Sequence, residues 1–264
     1  MTDQRLVAEP AGRVVGLDGC AGGWIAVWSD TDTERLQHDL YEDVSAVFAD
    51  HGDANRLLVD IPIGLTSSTA RECDDLARGQ LGARGVSVFS TPCRDVVEYY
   101  QKNKNTATYD RANEIQRDQL GSGLSRQTWN ITPKIADMDA SIRAESPTVD
   151  VFESHPECCF AALNDGYPIA QPKSNQRGRA ARFGVLANWT RGWKSCYETA
   201  LDEYFRNAVA RDDIIDAMVL AIAGRQSLRS IPDVPPTDDH GLPLQIVVPD
   251  IDPRWAAHTE IANR

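Results

Sequence analysis

Residues 14–19 read VVGLDG and residues 24–28 read WIAVW, and these two apolar runs indicate the class of fold. Glycines between the runs are typical of a tight turn joining two strands. A third strand is predicted at residues 35–40, so the domain starts as an antiparallel meander. Asp18 stands near the end of the first run. Charged side chains are ordinarily solvated, and burying a carboxylate costs free energy unless a cation offsets its charge.

The remaining pattern predicts a mixed α/β domain. Further strands are expected at residues 56–60, 149–153 and 244–248, and helices at residues 44–50, 71–81, 110–120, 134–143, 178–190, 195–207 and 212–228. This order is that of the ribonuclease H-like fold. We therefore predict a five-stranded mixed sheet flanked by helices. The core is expected at residues 13–65 and 147–248, a mostly helical insertion or cap at 66–146, and tails at 1–12 and 249–264.

Composition indicates a globular protein with an acidic surface. The chain has 264 residues, of which 42% are hydrophobic and 25% charged. Neither a transmembrane run nor a signal peptide is evident, so a cytoplasmic location without membrane association is expected. The net charge is −12, and Asp outnumbers Glu as Arg outnumbers Lys, a pattern typical of a halophilic, salt-rich cytoplasm. Bulk charge would repel nucleic acid, so binding it requires a local basic patch.

The six cysteines include no CxxC pair and no spacing typical of a zinc site. Buried free thiols are the expected state.

Five carboxylates are predicted to form one metal site. Three are expected at the ends of buried strands, and two lie three residues apart on the last helix, where they share a face. Oxygen ligands of this kind suit Mg²⁺ or Mn²⁺. Taken singly, the aspartates also fit an Asx turn, a loop cap or a helix N-terminus. The predicted catalytic residues and metal ligands are Asp18, Asp60, Glu153, Asp213 and Asp216.

A histidine and six basic residues complete the predicted site. His155 fits an orienting group for phosphate, a general acid or a structural hydrogen bond. The basic residues are predicted to bind substrate phosphates, because guanidinium groups match phosphate oxygens; ion pairing with Asp74 and Asp75 is the alternative. They are Arg71, Arg78, Arg84, Arg94, Lys134 and Lys173.

Several blocks of sequence together resemble the family described as predicted RNase H-like nucleases, domain of unknown function 429. The blocks lie at residues 16–24, 59–65, 71–89, 127–135, 153–157 and 213–216, and the resemblance spans roughly residues 13–248. It implies an RNase H-like core and a nuclease-type reaction at the acidic site.

The predicted function is metal-dependent phosphodiester hydrolysis of the two-metal type, acting on a nucleic acid or a nucleotide. Two alternatives stay open. The glycines after Asp18 resemble the phosphate-binding hairpin of actin-like ATPases and sugar kinases, and a non-catalytic interaction module would keep the carboxylates without turnover. A homodimer is a possible assembly.

Overall fold

Parallel pairing brings the ends of three strands to one edge of the central sheet. The computed structural model describes residues 10–30, 33, 35–145 and 147–251. The sheet has the order β3-β2-β1-β4-β5, in which β2 is antiparallel to β1 and β3, and β4 is parallel to β1 and β5. The predicted five-stranded mixed sheet is confirmed. Its strands are β1 (Arg13–Cys20), β2 (Gly23–Asp30), β3 (Gln37–Tyr41), β4 (Arg56–Val59) and β5 (Asp150–Glu153).

Nine α-helices are assigned in the described part of the chain. They are α1 (Val44–His51), α2 (Glu72–Leu81), α3 (Arg94–Lys102), α4 (Tyr109–Leu120), α5 (Arg126–Glu145), α6 (Pro156–Leu163), α7 (Gln176–Trp189), α8 (Trp193–Glu203) and α9 (Arg211–Ala223). A 3₁₀ helix at Gly82–Ser87 follows α2.

Alternation along the strands explains why helices cover both faces of the sheet. Trp24 and Ala26 pack with α1 and α5, whereas Ile25 and Val27 pack with α6 to α9. All four side chains are fully buried. A strand that buries both faces has an apolar run instead of the alternating pattern of a half-exposed strand. The architecture is therefore helix, sheet, helix in three layers.

Gly16 brings α9 unusually close to the middle of the sheet. A Cβ atom at this position would overlap the carbonyl oxygen of Ala217 and the amide nitrogen of Ala221. The absence of a side chain in β1 therefore sets the height of α9 above the sheet. As a consequence, Asp216 on α9 sits beside the end of β1.

The predicted insertion, residues 66–146, contributes to the core as well as to the site. Ile135, Ala136 and Met138 of α5 are buried in the cluster that covers one face of the sheet. The predicted division into a core and a cap stays a prediction. Helix α5 of the predicted cap also belongs to the helix layer that covers one face of the sheet.

Several elements differ from their predicted bounds. The sequence pattern missed α3, α6 and strand β6 (Leu228–Ile231), which pairs with β7 (Ile246–Pro249) in a second, two-stranded sheet. The last helix ends at Ala223 instead of 228, because the chain turns at Gly224 before it enters β6. α8 ends at Glu203 instead of 207. α5 begins eight residues earlier than predicted, at Arg126, and contains Pro133 in its interior.

The expectation for the cysteines is confirmed, because all six are buried free thiols. Within the described residues, no helix combines the length and the apolar character needed to cross a membrane.

Candidate functional site

Three of the predicted carboxylates meet at the edge where β1 and β4 end. We call Asp18, Asp60 and Asp216 the acidic triad; one oxygen of each lies within 4.8 Å of the other two. Asp18 belongs to β1 and Asp60 directly follows β4, where its amide donates to the Leu17 carbonyl at 3.0 Å. Oδ1 of Asp216 is buried without a hydrogen-bond partner in the described structure. Oxygens so arranged could hold a divalent cation.

Burial and mutual repulsion destabilise the ionised triad. The pKa of Asp18 lies well above its ordinary value because of burial, and the charges of Asp60 and Asp216 raise it further. Burial also raises the pKa of Asp60, and it raises that of Asp216 to about 7. A bound cation would offset this cost, since an opposite charge favours the ionised form of a carboxyl.

Lys173 supplies positive charge directly to the triad. Its Nζ donates a hydrogen bond to Oδ2 of Asp216 and lies 3.9 Å from Oδ2 of Asp212. The Asp216 carboxylate raises the pKa of Lys173 above its ordinary value. The ammonium therefore stays protonated and balances part of the acidic charge.

The loop that carries Lys173 is fixed by the start of α7. The Asn175 side chain caps that helix by accepting from the Gly178 amide at 2.7 Å. A Cβ at Gly178 would overlap the Pro172 carbonyl, so the loop packs directly on the helix. The buried Arg182 donates to the Gln171 carbonyl at 3.1 Å. These contacts between the loop and α7 position Lys173.

The two other predicted carboxylates are near the triad but have different partners. Asp213 accepts a hydrogen bond from the Ala210 amide at 2.8 Å, and burial raises its pKa to about 6. Oε2 of Glu153 accepts from Arg71 at 2.6 Å and from the Ile63 amide at 2.7 Å. Burial raises the pKa of Glu153, and the Arg71 guanidinium opposes that shift. Both line the same cavity as the triad, but neither belongs to the group within 4.8 Å.

His155 and Glu157 present unused acceptors beside the triad. His155 Nε2 lies 3.3 Å from the Ser87 carbonyl, which can only accept, so Nε2 carries the proton. Nδ1 is the acceptor in this tautomer, and it is buried without a partner in the described structure. Glu157 is 4% exposed; its Oε1 accepts from Arg182, while Oε2 is buried and unpartnered.

Three of the six predicted substrate-binding residues do not line the cavity and are engaged in ion pairs. Arg71 pairs with Glu153 and lies 3.6 Å from Asp74. Arg78 pairs with Asp75 at the surface. These contacts match the ion-pairing alternative for the two arginines.

Arg94 is the third of these residues, and it is buried between two carboxylates. It donates to Asp139 at 2.7 Å and to Asp238 at 2.6 Å. Both partners are buried, so this group is a fixed internal cluster.

The other three predicted basic residues line the cavity. Lys134 Nζ donates to the Gly23 carbonyl at 2.6 Å and lies over the Trp24 ring. Arg84 lies 3.8 Å from Glu157, and its Nε is buried without a hydrogen-bond partner. Together with Lys173 they form a small basic rim around an acidic floor.

The cavity has a volume of about 320 Å³ and is lined by both the sheet edge and the insertion. The triad, Glu153, His155 and Asp213 come from the core side. The opposite wall consists of residues 84 and 87–92, together with parts of α5. Four buried polar atoms without partners belong to lining residues: Arg84 Nε, His155 Nδ1, Glu157 Oε2 and Asp216 Oδ1.

Packing accounts for two of the three glycines that follow Asp18. The Gly22 amide donates to the Ala208 carbonyl at 2.8 Å, and a Cβ at Gly23 would overlap the Tyr41 carbonyl. The Gly22 amide is therefore not available to a phosphate. Gly19 lines the cavity, so the phosphate-binding hairpin stays an alternative.

Glu157, Arg182 and the cavity wall at Phe89 and Gln127 were missing from the predicted site. Glu157 stands four residues after Glu153 in a run where the sequence offers two similar carboxylates. Their partners distinguish them: Arg71, 82 residues away, donates to Glu153, and Arg182, 25 residues away, donates to Glu157. No local sequence signal marks these contacts.

The family model described as "Protein of unknown function (DUF429)" matches residues 16–239. The chain belongs to this family. No curated protein and no solved structure matches this chain. The family's description carries no activity, so a proposed reaction rests on the geometry of the site.

Proposed function

We propose that this DUF429 protein is a divalent-metal-dependent phosphodiesterase with a nuclease-like reaction. The observation that carries the proposal is the convergence of Asp18, Asp60 and Asp216 within 4.8 Å at the ends of parallel strands. The strand order and the final helix, which supplies the third carboxylate, support an RNase H-like core.

The acidic triad would hold Mg²⁺ or Mn²⁺. Such a cation, when bound, polarises a phosphoryl oxygen and makes a water more acidic. The chemistry of the donor set fits, because all three ligands are hard carboxylate oxygens and Oδ1 of Asp216 has no other partner. Asp213 and Glu153 line the same cavity. Asp213 would add negative charge near the cation, and Glu153 accepts hydrogen bonds from Ile63 and Arg71.

Residues around the triad would bind and orient the diester. The ammonium of Lys173 and the guanidinium of Arg84 can contact nonbridging phosphate oxygens. Nδ1 of His155 is placed to accept a proton from a water, since Nε2 already donates to the Ser87 carbonyl. Glu157 Oε2 can hold the same water by a second hydrogen bond.

Hydrolysis of bis(4-nitrophenyl) phosphate in Mn²⁺ at high salt tests the proposal. Asp18→Asn removes one ligand charge but keeps the side-chain shape, and we expect it to reduce turnover by at least the roughly 100-fold that changes in the outer shell of a metal site can cost. Asp202→Asn is the matched control, because Asp202 is exposed on α8 and does not line the cavity.

Two results would overturn the assignment. Equal turnover by the wild-type and folded Asp18→Asn proteins would identify a contaminating enzyme. Hydrolysis of ATP without any hydrolysis of the diester would favour the ATPase alternative.

A further inference from the structure

The wall that faces the acidic triad is fixed to the core by buried contacts. Arg71 at the start of the insertion pairs with Glu153, and Arg94 pairs with Asp238 beyond α9. On the other side, Trp24 Nε1 donates to Asp137 of α5 at 3.0 Å. Each ion pair is nearly solvent-free, so opening the cavity would leave buried charges without partners.

The fixed walls limit what can reach the triad. The cavity volume is about 320 Å³. Pockets of about 300 to 1,000 Å³ are typical for small ligands, so this cavity is near the lower end of that range. A volume of this size favours a ligand no larger than one nucleoside unit.

Two side chains on the insertion wall are free to contact a ligand. Phe89 is half-buried, lines the cavity and takes part in none of the ring contacts found among the described residues. The exposed amide of Gln127 also lines the cavity and has no hydrogen-bond partner within the described chain. An aromatic face and a free amide are the groups that proteins use to stack a base and to bond its edge.

Unpaired polar atoms lie between that wall and the triad. Nε of Arg84 and Nδ1 of His155 are both buried and lack hydrogen-bond partners in the described structure. Buried polar groups are nearly always paired in native proteins, so unpaired ones in a cavity indicate a polar ligand. A guanidinium donor and an imidazole acceptor that line the same cavity suit a phosphate and a hydroxyl or water on the same ligand.

Resting on the proposed phosphodiesterase function, we propose that the cavity accepts one nucleoside unit joined through its phosphate ester, with the base against Phe89 and Gln127 and the phosphate between Arg84 and the acidic triad. The unit is either the end of a single strand or a small nucleotide ester. A strand end or a small ester should therefore be preferred over a closed strand.

Hydrolysis of matched esters with Mn²⁺ tests this assignment. Thymidine 5′-(4-nitrophenyl phosphate) and methyl 4-nitrophenyl phosphate share a leaving group, and only the first carries a base. We expect Phe89→Ala to raise KM for the thymidine ester at least about fivefold, the lower limit for losing base stacking, with no change for the methyl ester. Val86→Ala is the matched control, because Val86 is 81% exposed in the same segment and does not line the cavity.

A linear oligonucleotide and a covalently closed single-stranded circle of the same sequence show whether the nucleoside unit is a strand end or a small nucleotide ester. Hydrolysis of the linear strand identifies a strand end, and hydrolysis of the thymidine ester alone identifies a small nucleotide. A circle cleaved as fast as the linear strand, or an unchanged KM in Phe89→Ala, would overturn the inference. Failure to hydrolyse even the methyl ester would instead contradict the phosphodiesterase function.

Binding of thymidine 5′-phosphate, measured by calorimetry with Mg²⁺, gives a readout independent of turnover. We expect Phe89→Ala and Gln127→Ala to weaken binding and Val86→Ala to leave it unchanged. Equal affinities in all four proteins would also overturn the inference.

Discussion

The ammonium of Lys173 donates a hydrogen bond to Oδ2 of Asp216, the helix carboxylate of the acidic triad. Lys173 comes from the loop before α7 and Asp216 from α9, so two separately positioned elements meet at this contact. Removing the lysine charge should have opposite effects on the metal-free protein and on its affinity for a cation.

Lys173→Met should lower the melting temperature of the metal-free protein and increase its affinity for Mn²⁺. The ammonium balances the buried acidic charge, and it also repels an incoming cation. We expect affinity to rise at least about fivefold, which corresponds to ~1 kcal/mol. Calorimetric titration measures the affinity, and Lys194→Met, at an exposed position, is the control. Weaker Mn²⁺ binding in Lys173→Met would show that the lysine helps to assemble the site.

Metal binding should weaken as the pH falls through the range in which the acidic groups titrate. Burial raises the pKa of Asp216 to about 7 and that of Asp213 to about 6, so protons compete with the cation below these values. Affinity for Mn²⁺ should therefore rise with pH and level off above about pH 8. A titration series across this range that gave one constant affinity would contradict this assignment.

The same shifts determine how the metal-free protein responds to pH. A carboxyl whose folded pKa lies above its unfolded value of 3.8 binds protons more tightly when folded. Its contribution to stability is complete below about pH 4 and is lost as the pH rises through about 7. We expect the melting temperature of the metal-free protein to fall between about pH 5 and pH 8, and saturating Mg²⁺ to reduce that fall. An identical pH profile with and without Mg²⁺ would count against binding at the triad.

Gly16→Ala should disrupt the metal site through packing. The new methyl group would overlap backbone atoms of Ala217 and Ala221, so α9 must move away from β1 and carry Asp216 with it. We expect a loss of unfolding free energy of about 3 kcal/mol or more and a large loss of Mn²⁺ affinity. Denaturant unfolding and metal titration measure the two effects.

Gly79→Ala is the control for that substitution. Gly79 lies within α2, and a Cβ there has no heavy atom within 4 Å. The change should be neutral or stabilise by up to about 1 kcal/mol, because alanine favours helix more than glycine. Equal stability of the two alanine variants would show that α9 does not need the close approach.

Arg71→Met should destabilise the protein far more than Arg78→Met. Arg71 and Glu153 are almost solvent-free, so removing the guanidinium leaves a buried carboxylate, at a cost of about 3–5 kcal/mol. Asp75 is exposed and Arg78 is half-buried, and ion pairs near the surface contribute about 0–1 kcal/mol. Chemical unfolding measures both variants.

Glu153→Leu alone and the double variant Arg71→Met with Glu153→Leu complete a double-mutant cycle. The double variant should recover part of the stability lost in Arg71→Met, because an apolar pair can replace a buried ion pair. If Arg71→Met alone changed stability by less than about 1 kcal/mol, the pair would not anchor the insertion.

The sequence was sufficient to predict the central sheet because its signals are local. Residues 14–17, 24–28 and 57–59 are apolar runs with a glycine or proline within three residues of one end, and each became a strand at nearly the predicted position. The site edge followed, since parallel strands place Asp18 and Asp60 together. The last helix carried Asp216 on a buried face, as its spacing indicated.

Partner choice and element ends were not predictable in the same way. The predicted helix began at residue 134, whereas α5 begins at Arg126 and continues through Pro133. The predicted last helix ended at residue 228, the first residue of β6, and the polar Arg229 and Ser230 gave no strand signal; β6 forms by pairing with β7. The ion pairs of Arg71 and Arg94 join residues far apart in the chain, so the sequence offered no means to separate structural arginines from those of the cavity.

Anomalous scattering from a crystal soaked in Mn²⁺ tests the central claim most directly. We expect one peak bonded to an oxygen from each of Asp18, Asp60 and Asp216, at the distances of about 2.0–2.2 Å typical of small divalent cations. The same soak of Asp18→Asn crystals should show a much weaker peak or none. Ordered triad carboxylates without a peak in the wild-type crystal, at saturating Mn²⁺ and about pH 8, would contradict the proposed metal centre.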